Sequence, residues 1–125
     1  MTKEELKQRT KNFALRVIKL TNVLPNTELS KIIKNQLLRR STSVASNYRA
    51  VCRSRSMLDF ISKLSLVEEE ADESAFWLEV IIECSLIKKE LVDSLLKEAN
   101  ELVAIMVSSK KTSRSNKSKI ENQKL

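Results

Sequence analysis

The chain of 125 residues contains no glycine and a single proline, Pro25. Glycine is the usual residue of hairpin turns, phosphate-binding loops and strained backbone. Its absence excludes a Gly-rich nucleotide loop and argues against a sheet built from tight hairpins. The composition therefore predicts an all-α protein of long helices joined by short connections.

Histidine is also absent, which removes the commonest general base and the commonest metal ligand. The two cysteines, Cys52 and Cys84, lie far apart, and we expect both to be small buried apolar residues. The acidic run at 68–73 would fan out around a helix instead of converging on one ion. We therefore expect no catalytic residue, no cofactor and no metal site, and we predict that the protein is not an enzyme.

Long apolar runs are missing as well, and none approaches the ~20 residues that a membrane-spanning helix needs. The first five residues carry two acids and no apolar stretch, unlike a signal peptide. We therefore expect a cytoplasmic protein without a membrane partner. The apolar fraction of 42% is enough to build a hydrophobic core.

Charge is unevenly distributed along the chain, although the formal net charge is +7. Residues 1–50 have a balance of +8, residues 51–108 a balance of −6 and residues 109–125 a balance of +5. Such asymmetry is typical of a basic face that meets an anionic partner, or of acidic and basic faces that meet between subunits.

Apolar spacing predicts one domain at residues 1–108, with helices at about 2–23, 27–52, 55–85 and 89–108. Short links favour an up-down-up-down antiparallel four-helix bundle. The predicted core lines of the first and last helices are Leu6, Thr10, Phe13, Val17, Leu20 and Leu24, and Val92, Leu95, Ala99, Leu102 and Met106. Those of the middle helices are Leu29, Ile33, Leu37, Val44, Tyr48 and Val51, and Met57, Ile61, Leu64, Ala71, Ala75, Leu78 and Ile82.

Three local features refine this pattern. Thr27 and Ser56 are predicted helix N-caps, with Ser56 and Asp59 in the capping-box spacing. Glu68 falls on the core line of helix three, either as a rim carboxylate or as a buried one paired with an arginine of helix two. Helix two has small residues at 41–46, which favour close approach of another helix over an exposed serine-rich face.

Several segments resemble one bacterial family. They are Leu37–Ala50 (LLRRSTSVASNYRA), Ser54–Leu64 (SRSMLDFISKL), Glu68–Ser74 with Trp77–Glu79, and Lys97–Leu102 (KEANEL). Together they are similar to the four helix bundle proteins first noticed in intervening sequences of 23S ribosomal RNA genes, over roughly residues 8–112. Ala45 stands where family members often carry glycine. The resemblance implies a symmetric ring, commonly a homopentamer, and kinship with the accessory proteins of diversity-generating retroelements, which associate with reverse transcriptase and RNA.

The main candidate site is a polar stripe on helix two, in which residues recur at steps of three and four and so share one helix face. The stripe comprises Lys31, Asn35, Arg39, Thr42, Ser46, Arg49 and Arg53, with Arg40 beside it and Arg55 beyond its end. Arginine suits phosphate, and hydroxyl or amide groups add neutral hydrogen bonds. The alternatives are a solvated face, or one that pairs with Glu69, Asp72, Glu73 and Glu83 within or between subunits.

A second candidate is the basic segment 109–125, which we predict to be a disordered tail. Its cations include Lys110, Lys111 and Arg114, and it would either bind nucleic acid without reading sequence or act as a solubilising tail. Phe76 and Trp77 are adjacent and cannot both face one core. Trp77 is the predicted contact residue between subunits, with peripheral packing in the monomer as the alternative.

Two functions follow as hypotheses. The first is an oligomeric bundle that binds nucleic acid, structured RNA above all, through the helix-two stripe, as an accessory to an enzyme such as a reverse transcriptase. The second is a structural or adaptor protein whose basic and acidic faces pair between subunits or with a protein partner, without a role in nucleic-acid binding.

Overall fold

A computed structural model describes residues 1–124, with side chains through Gln123, and shows four helices and no strand in that range. The helices are α1 (Lys3–Thr21), α2 (Glu28–Val51), α3 (Met57–Glu83) and α4 (Asp93–Lys124), with a short 3-10 turn at Lys89–Leu91. The predicted all-α four-helix architecture is confirmed. None of the described helices contains a stretch long and apolar enough to cross a membrane.

Side-chain caps begin the first three helices where the sequence has Ser or Thr. The hydroxyl oxygens of Thr2, Thr27 and Ser56 accept hydrogen bonds from backbone N–H groups three residues later, at 3.0–3.1 Å. The predicted caps Thr27 and Ser56 are thereby confirmed. The Asp59 carboxylate, however, accepts from the N–H of Arg55 at 3.2 Å, one residue before the cap.

The four helices enclose one core along the bundle axis, and α1 packs against α2, α2 against α3, α3 against α4, and α4 back against α1. All predicted core residues of helix one and helix four are buried. Four predicted core residues of the middle helices are not buried: Leu29 is 42% exposed, and Met57, Ile61 and Ile82 are only half-buried. The buried line of α3 runs through Val67 and Ile81 instead. Glu68 is half-buried, and Glu70 is the buried carboxylate of this helix.

The structure also corrects the prediction of a disordered segment from residue 109, because α4 continues as a helix to Lys124. Neither glycine nor proline interrupts this stretch. The first turn of the segment after residue 108 is held to the bundle by Lys110, whose Nζ lies 2.6 Å from Glu68 Oε1 and 3.1 Å from Ser65 Oγ. Ser113, on the next turn, is buried. The side chain of Lys124 and all of Leu125, at the end of the predicted tail, lie outside the described residues.

Cysteine burial differs from expectation too. Cys52 caps α2 and is only half-buried, while Cys84 caps α3 and is exposed. Both stand at helix ends, where the chain leaves the core, so neither is a fully buried apolar residue.

Candidate nucleic-acid interface

The predicted stripe forms the outer face of α2, directly opposite the core. We define the α2 outer face as Lys31, Asn35, Arg39, Thr42, Ser46, Arg49 and Arg53, all of which are exposed. The core side of the same helix carries Ile33, Leu37, Val44 and Tyr48. Six of these residues, Lys31 to Arg49, lie within α2, which is uninterrupted through 24 residues, so the helical repeat keeps their side chains on one side. Arg53 follows the C-cap residue Cys52, in the link to α3, and extends the same basic surface past the helix end.

The arginines of the α2 outer face have no carboxylate partner within the described chain. Arg39, Arg49 and Arg53 form no ion pair with residues 1–123, while Lys31 lies 3.8 Å from the exposed Glu28. Of the acids predicted as partners, Glu73 forms an ion pair with a described residue of α2, and that residue is Arg40. Pairing within one subunit therefore does not neutralise this face, and three guanidinium groups remain open to a ligand.

Arg40 points to the side of α2 that faces α3. Its Nε lies 2.7 Å from Glu73 Oε2 and its Nη1 lies 3.5 Å from Glu70 Oε2. The buried carboxylate on α3 is thus paired with an arginine of helix two, as was expected of Glu68. Arg40 is therefore engaged between α2 and α3, unlike the exposed arginines of the α2 outer face.

The hydroxyl groups of the α2 outer face are less available than the sequence suggests. Thr42 Oγ1 donates to the carbonyl of Leu38 at 2.6 Å, and Ser46 Oγ donates to the carbonyl of Ser43 at 3.3 Å. Their protons are directed into the helix backbone, where such bonds are common. Asn35 is the neutral donor on this face that remains free of hydrogen bonds to described residues.

Arg55 continues the basic surface past the end of α2, in the link to α3. A shallow cleft there is lined by Arg53, Arg55, Asp59 and Lys63. Lys63 Nζ lies 2.9 Å from Asp59 Oδ2, and this bond, with the N–H of Arg55, lowers the pKa of Asp59. The carboxylate is therefore engaged by Lys63, which leaves the side chains of Arg53 and Arg55 without an ion-pair partner among the described residues.

The basic residues of α4 divide into two groups. Lys110 is bound to Glu68 and Ser65, so it is part of the helix-helix contact and not of an open basic surface. Lys111 and Arg114 are exposed and form no ion pair with residues 1–123. Lys117 lies 3.9 Å from Glu121 on the next turn.

Trp77 is half-buried and packs against the core, whereas the adjacent Phe76 is 54% exposed. The two rings meet edge to face, with centroids 5.0 Å apart and an interplanar angle of 80°. Within one subunit, Phe76 is thus the more accessible aromatic residue for a contact with another molecule.

One ion-pair network was not predicted. Arg9 of α1 donates to Glu98 of α4 at 2.8 and 2.7 Å and to Glu101 at 2.7 Å. The hydrogen bond to Glu98 raises the pKa of the guanidinium. Glu98 and Glu101 are three residues apart and so share a helix face. This spacing was the feature of the sequence from which an acidic partner for Arg9 could have been predicted. The network joins α1 to α4, and the Arg9 guanidinium is engaged by two carboxylates.

The fold and sequence also match known proteins. The family model for the 23S rRNA-intervening sequence protein matches residues 2–108. The chain belongs to this family. A crystal structure of a protein of unknown function from the S23 ribosomal protein family of Bacteroides thetaiotaomicron VPI-5482 is similar, with a TM-score of 0.80 and 31% sequence identity. The similarity covers 89% of this chain and 99% of that one.

Comparison with curated proteins gives no significant match. The family model of the 23S rRNA-intervening sequence protein ends at residue 108, so the last turns of α4 lie beyond the shared region. Within the described residues, no group of three or more Cys, Asp or Glu side chains is placed to hold a metal ion. The surface that stands out in this family member is therefore the α2 outer face.

Proposed function

We propose that this protein is a non-enzymatic helical bundle that binds the phosphate backbone of structured nucleic acid through the α2 outer face. The supporting observation is that Arg39 and Arg49 on the outer side of α2, and Arg53 just past its end, are exposed without an ion-pair partner among residues 1–123. The planar guanidinium group can bind a phosphate through two parallel hydrogen bonds. Arg39 and Arg49 lie along one helix and Arg53 lies just past its end, so the three groups offer successive phosphate sites.

Double-helical RNA fits this face better than an extended single strand. Proteins that bind single strands without reading sequence stack the bases on exposed aromatic side chains. The α2 outer face has none, and Tyr48 of the same helix is buried in the core. Contacts to phosphates position a ligand but carry no sequence information, so we expect low sequence specificity.

Cations around the face extend the proposed site. Arg55 lies at the end of α2, and Lys31 lies near its start. The exposed Lys111 and Arg114 of α4 add positive charge without an ion-pair partner among the described residues. All four can contribute to binding through the general release of counterions from the nucleic acid.

The proposal includes self-association and a cytoplasmic location. The family resemblance implies a symmetric ring, commonly a homopentamer, and kinship with accessory proteins that associate with reverse transcriptase. We propose that this chain likewise forms a ring and acts as an accessory to a nucleic-acid enzyme. These expectations are independent of the phosphate-binding test, which concerns one face of one helix.

The test reverses two arginines of the α2 outer face that form no ion pair with residues 1–123. The variant Arg39→Glu/Arg53→Glu should lose RNA-hairpin affinity by at least tenfold, because two attractive phosphate contacts become repulsive. The matched control is Lys88→Glu/Lys97→Glu, since Lys88 and Lys97 are exposed residues away from α2. Each double reversal lowers the formal net charge from +7 to +3, by two for each residue.

The comparison separates a site from a general charge effect. Equal loss of affinity in the two variants would show that net charge, and not the α2 outer face, governs binding. Unchanged affinity in Arg39→Glu/Arg53→Glu, with helical content intact by circular dichroism, would reject this face as the interface.

A further inference from the structure

A groove between α1 and α2 remains open on the outside of the bundle. Its volume is about 550 Å³. Leu15 and Ile18 line it from α1 and are 47% and 38% exposed. Large apolar side chains grouped in one concave surface are typical of an interaction site, whereas single exposed ones are common everywhere.

The α2 wall of this groove consists of small side chains. Thr42 and Ser46 are exposed and Ala45 is half-buried, so they are not packed tightly against a helix of their own chain. The sequence predicts that small residues here admit another helix at close range. Only Ser41 of that set is fully buried within the bundle. A helix that packs closely against Thr42, Ala45 and Ser46 must therefore come from another molecule.

The rim of the groove is basic. Lys7, Lys11 and Arg49 line it, and Glu4 is the acid among its lining residues. Glu4 lies 3.8 Å from Lys7, while Lys11 and Arg49 form no ion pair with residues 1–123. An occupant that complements this groove has to be a helix with an apolar centre and flanking carboxylates.

The chain itself carries such a helix surface. We define the α3 acidic face as Glu69, Asp72, Phe76, Glu79 and Glu83, which recur at steps of three and four and are all exposed. None of the four carboxylates forms an ion pair with a described residue. Phe76 stands among them and is supported from behind by the edge-to-face contact with Trp77.

We propose that the α3 acidic face of one copy docks into the α1–α2 groove of a second copy. Phe76 would cover Leu15 and Ile18, and the carboxylates would face Lys11 and Arg49. This inference rests on the self-association included in the proposed function and specifies its surfaces. The two surfaces are different patches of the chain, so the contact is heterologous: each copy offers its groove to one neighbour and its α3 acidic face to another.

Two single substitutions separate the halves of this contact. Leu15→Glu places a charge in the groove, and Phe76→Glu removes the aromatic centre of the α3 acidic face. Each should weaken self-association by about 30-fold or more, as expected for the centre of an interface. Leu91→Glu is the matched control, because Leu91 is 55% exposed in the α3–α4 link and belongs to neither surface.

Mixing the two variants provides the decisive measurement, made by mass in nucleic-acid-free solution. Each variant alone should be monomeric, because each lacks one of the two surfaces. An equal mixture should form a one-to-one complex, since the intact groove of Phe76→Glu can accept the intact α3 acidic face of Leu15→Glu. Leu91→Glu should assemble like the unaltered chain.

Three results would overturn the proposal: a monomeric unaltered chain, variants that keep the parent mass, or a mixture that stays monomeric. If the unaltered chain is monomeric, the occupant of the groove would have to be an acidic helix of a different protein. Arg39 and Arg53 are unchanged in both variants, so RNA binding can be measured on the monomers separately. Loss of the docking contact with RNA binding retained would reject this inference and leave the phosphate-binding proposal standing.

Discussion

Adjacent arginines on α2 have different roles because one turns outward and the other faces α3. Arg39 is exposed and unpaired within residues 1–123, whereas Arg40 is half-buried between Glu70 and Glu73. Removing one partner of a buried ion pair leaves the other charge without compensation, which is costly for folding. Substitution of Arg40 would thus report on stability, and substitution of Arg39 on ligand binding.

Tyr48 gives a prediction for alkaline pH. Burial, followed by the nearby Cys52, raises the pKa of Tyr48 to about 12 from an ordinary value of 10.0. The neutral phenol is therefore favoured in the folded protein, and its contribution is complete below pH 10 and is lost as the pH rises toward 12. The free energy of unfolding should fall by about 1 kcal/mol between pH 9 and pH 11 from this residue alone.

Absorbance of tyrosinate measures this directly, because Tyr48 is the chain's single tyrosine. The folded protein should titrate near pH 12. Tyr48→Phe, compared by thermal unfolding over the same range, should lack this part of the alkaline loss of stability. A midpoint near pH 10 in folded protein would show that the phenol is not shielded from water.

The end of α3 shows how a helix can be closed by a chain that has no glycine. Ser85 adopts a positive φ of 51°, the N–H of Leu86 donates to the carbonyl of Ile81, and that of Ser85 donates to the carbonyl of Ile82. This is the Schellman pattern, which normally has glycine at the left-handed position. Leu86, the next residue, packs against the core, as is usual for this type of helix C-terminus.

Ser85→Gly should stabilise the protein by up to about 1 kcal/mol, because glycine reaches positive φ without the steric cost of a side chain. The melting temperature should rise by about 3 °C. Ser85→Ala serves as the control and should bring no gain, since alanine keeps the Cβ atom. Destabilisation by Ser85→Gly would mean that the greater freedom of glycine in the unfolded chain outweighs the relief of strain.

Helix positions could be predicted from the sequence where one apolar line dominates. In α1 and α4 the predicted core residues are all buried, although other faces of these helices also carry exposed apolar residues such as Leu15 and Ile18. In α3, Val67 and Ile81 compete with Ile61 and Ile82, and spacing alone does not choose between two adjacent apolar lines. The contact with α2 and α4 makes that choice, and it also buries Glu70 in place of Glu68.

The α2 outer face could likewise be predicted, since helical periodicity brings its members together. The ion pairs of Arg40 with Glu73 and of Lys110 with Glu68 could not be predicted, because these residues meet only after the helices pack. The extension of α4 was missed for a related reason. Like charges argue against a helix, but the anchoring of Lys110 and Ser113 on the bundle lies outside any local pattern.

Opposite charges are separated on the surface of the bundle. The outside of α1 and α2 carries Lys11, Arg39, Arg49 and Arg53, and the outside of α3 carries the α3 acidic face. A surface divided in this way can bind an anionic ligand on one side and a complementary surface of another copy on the other. The two proposals share Thr42, Ser46 and Arg49, which belong to the α2 outer face and also line the groove. Arg39 and Arg53 lie outside the groove lining and stay available to a nucleic acid when a second copy is docked.

The salt dependence of RNA-hairpin binding tests most directly whether the α2 outer face contacts phosphates. It should be compared for the unaltered chain and Arg39→Gln/Arg53→Gln. The logarithm of the binding constant should fall linearly with the logarithm of salt concentration, and the neutral variant should have a slope smaller by about 2, one for each lost phosphate contact. An identical slope in the two proteins would contradict the assignment of phosphate contacts to the α2 outer face.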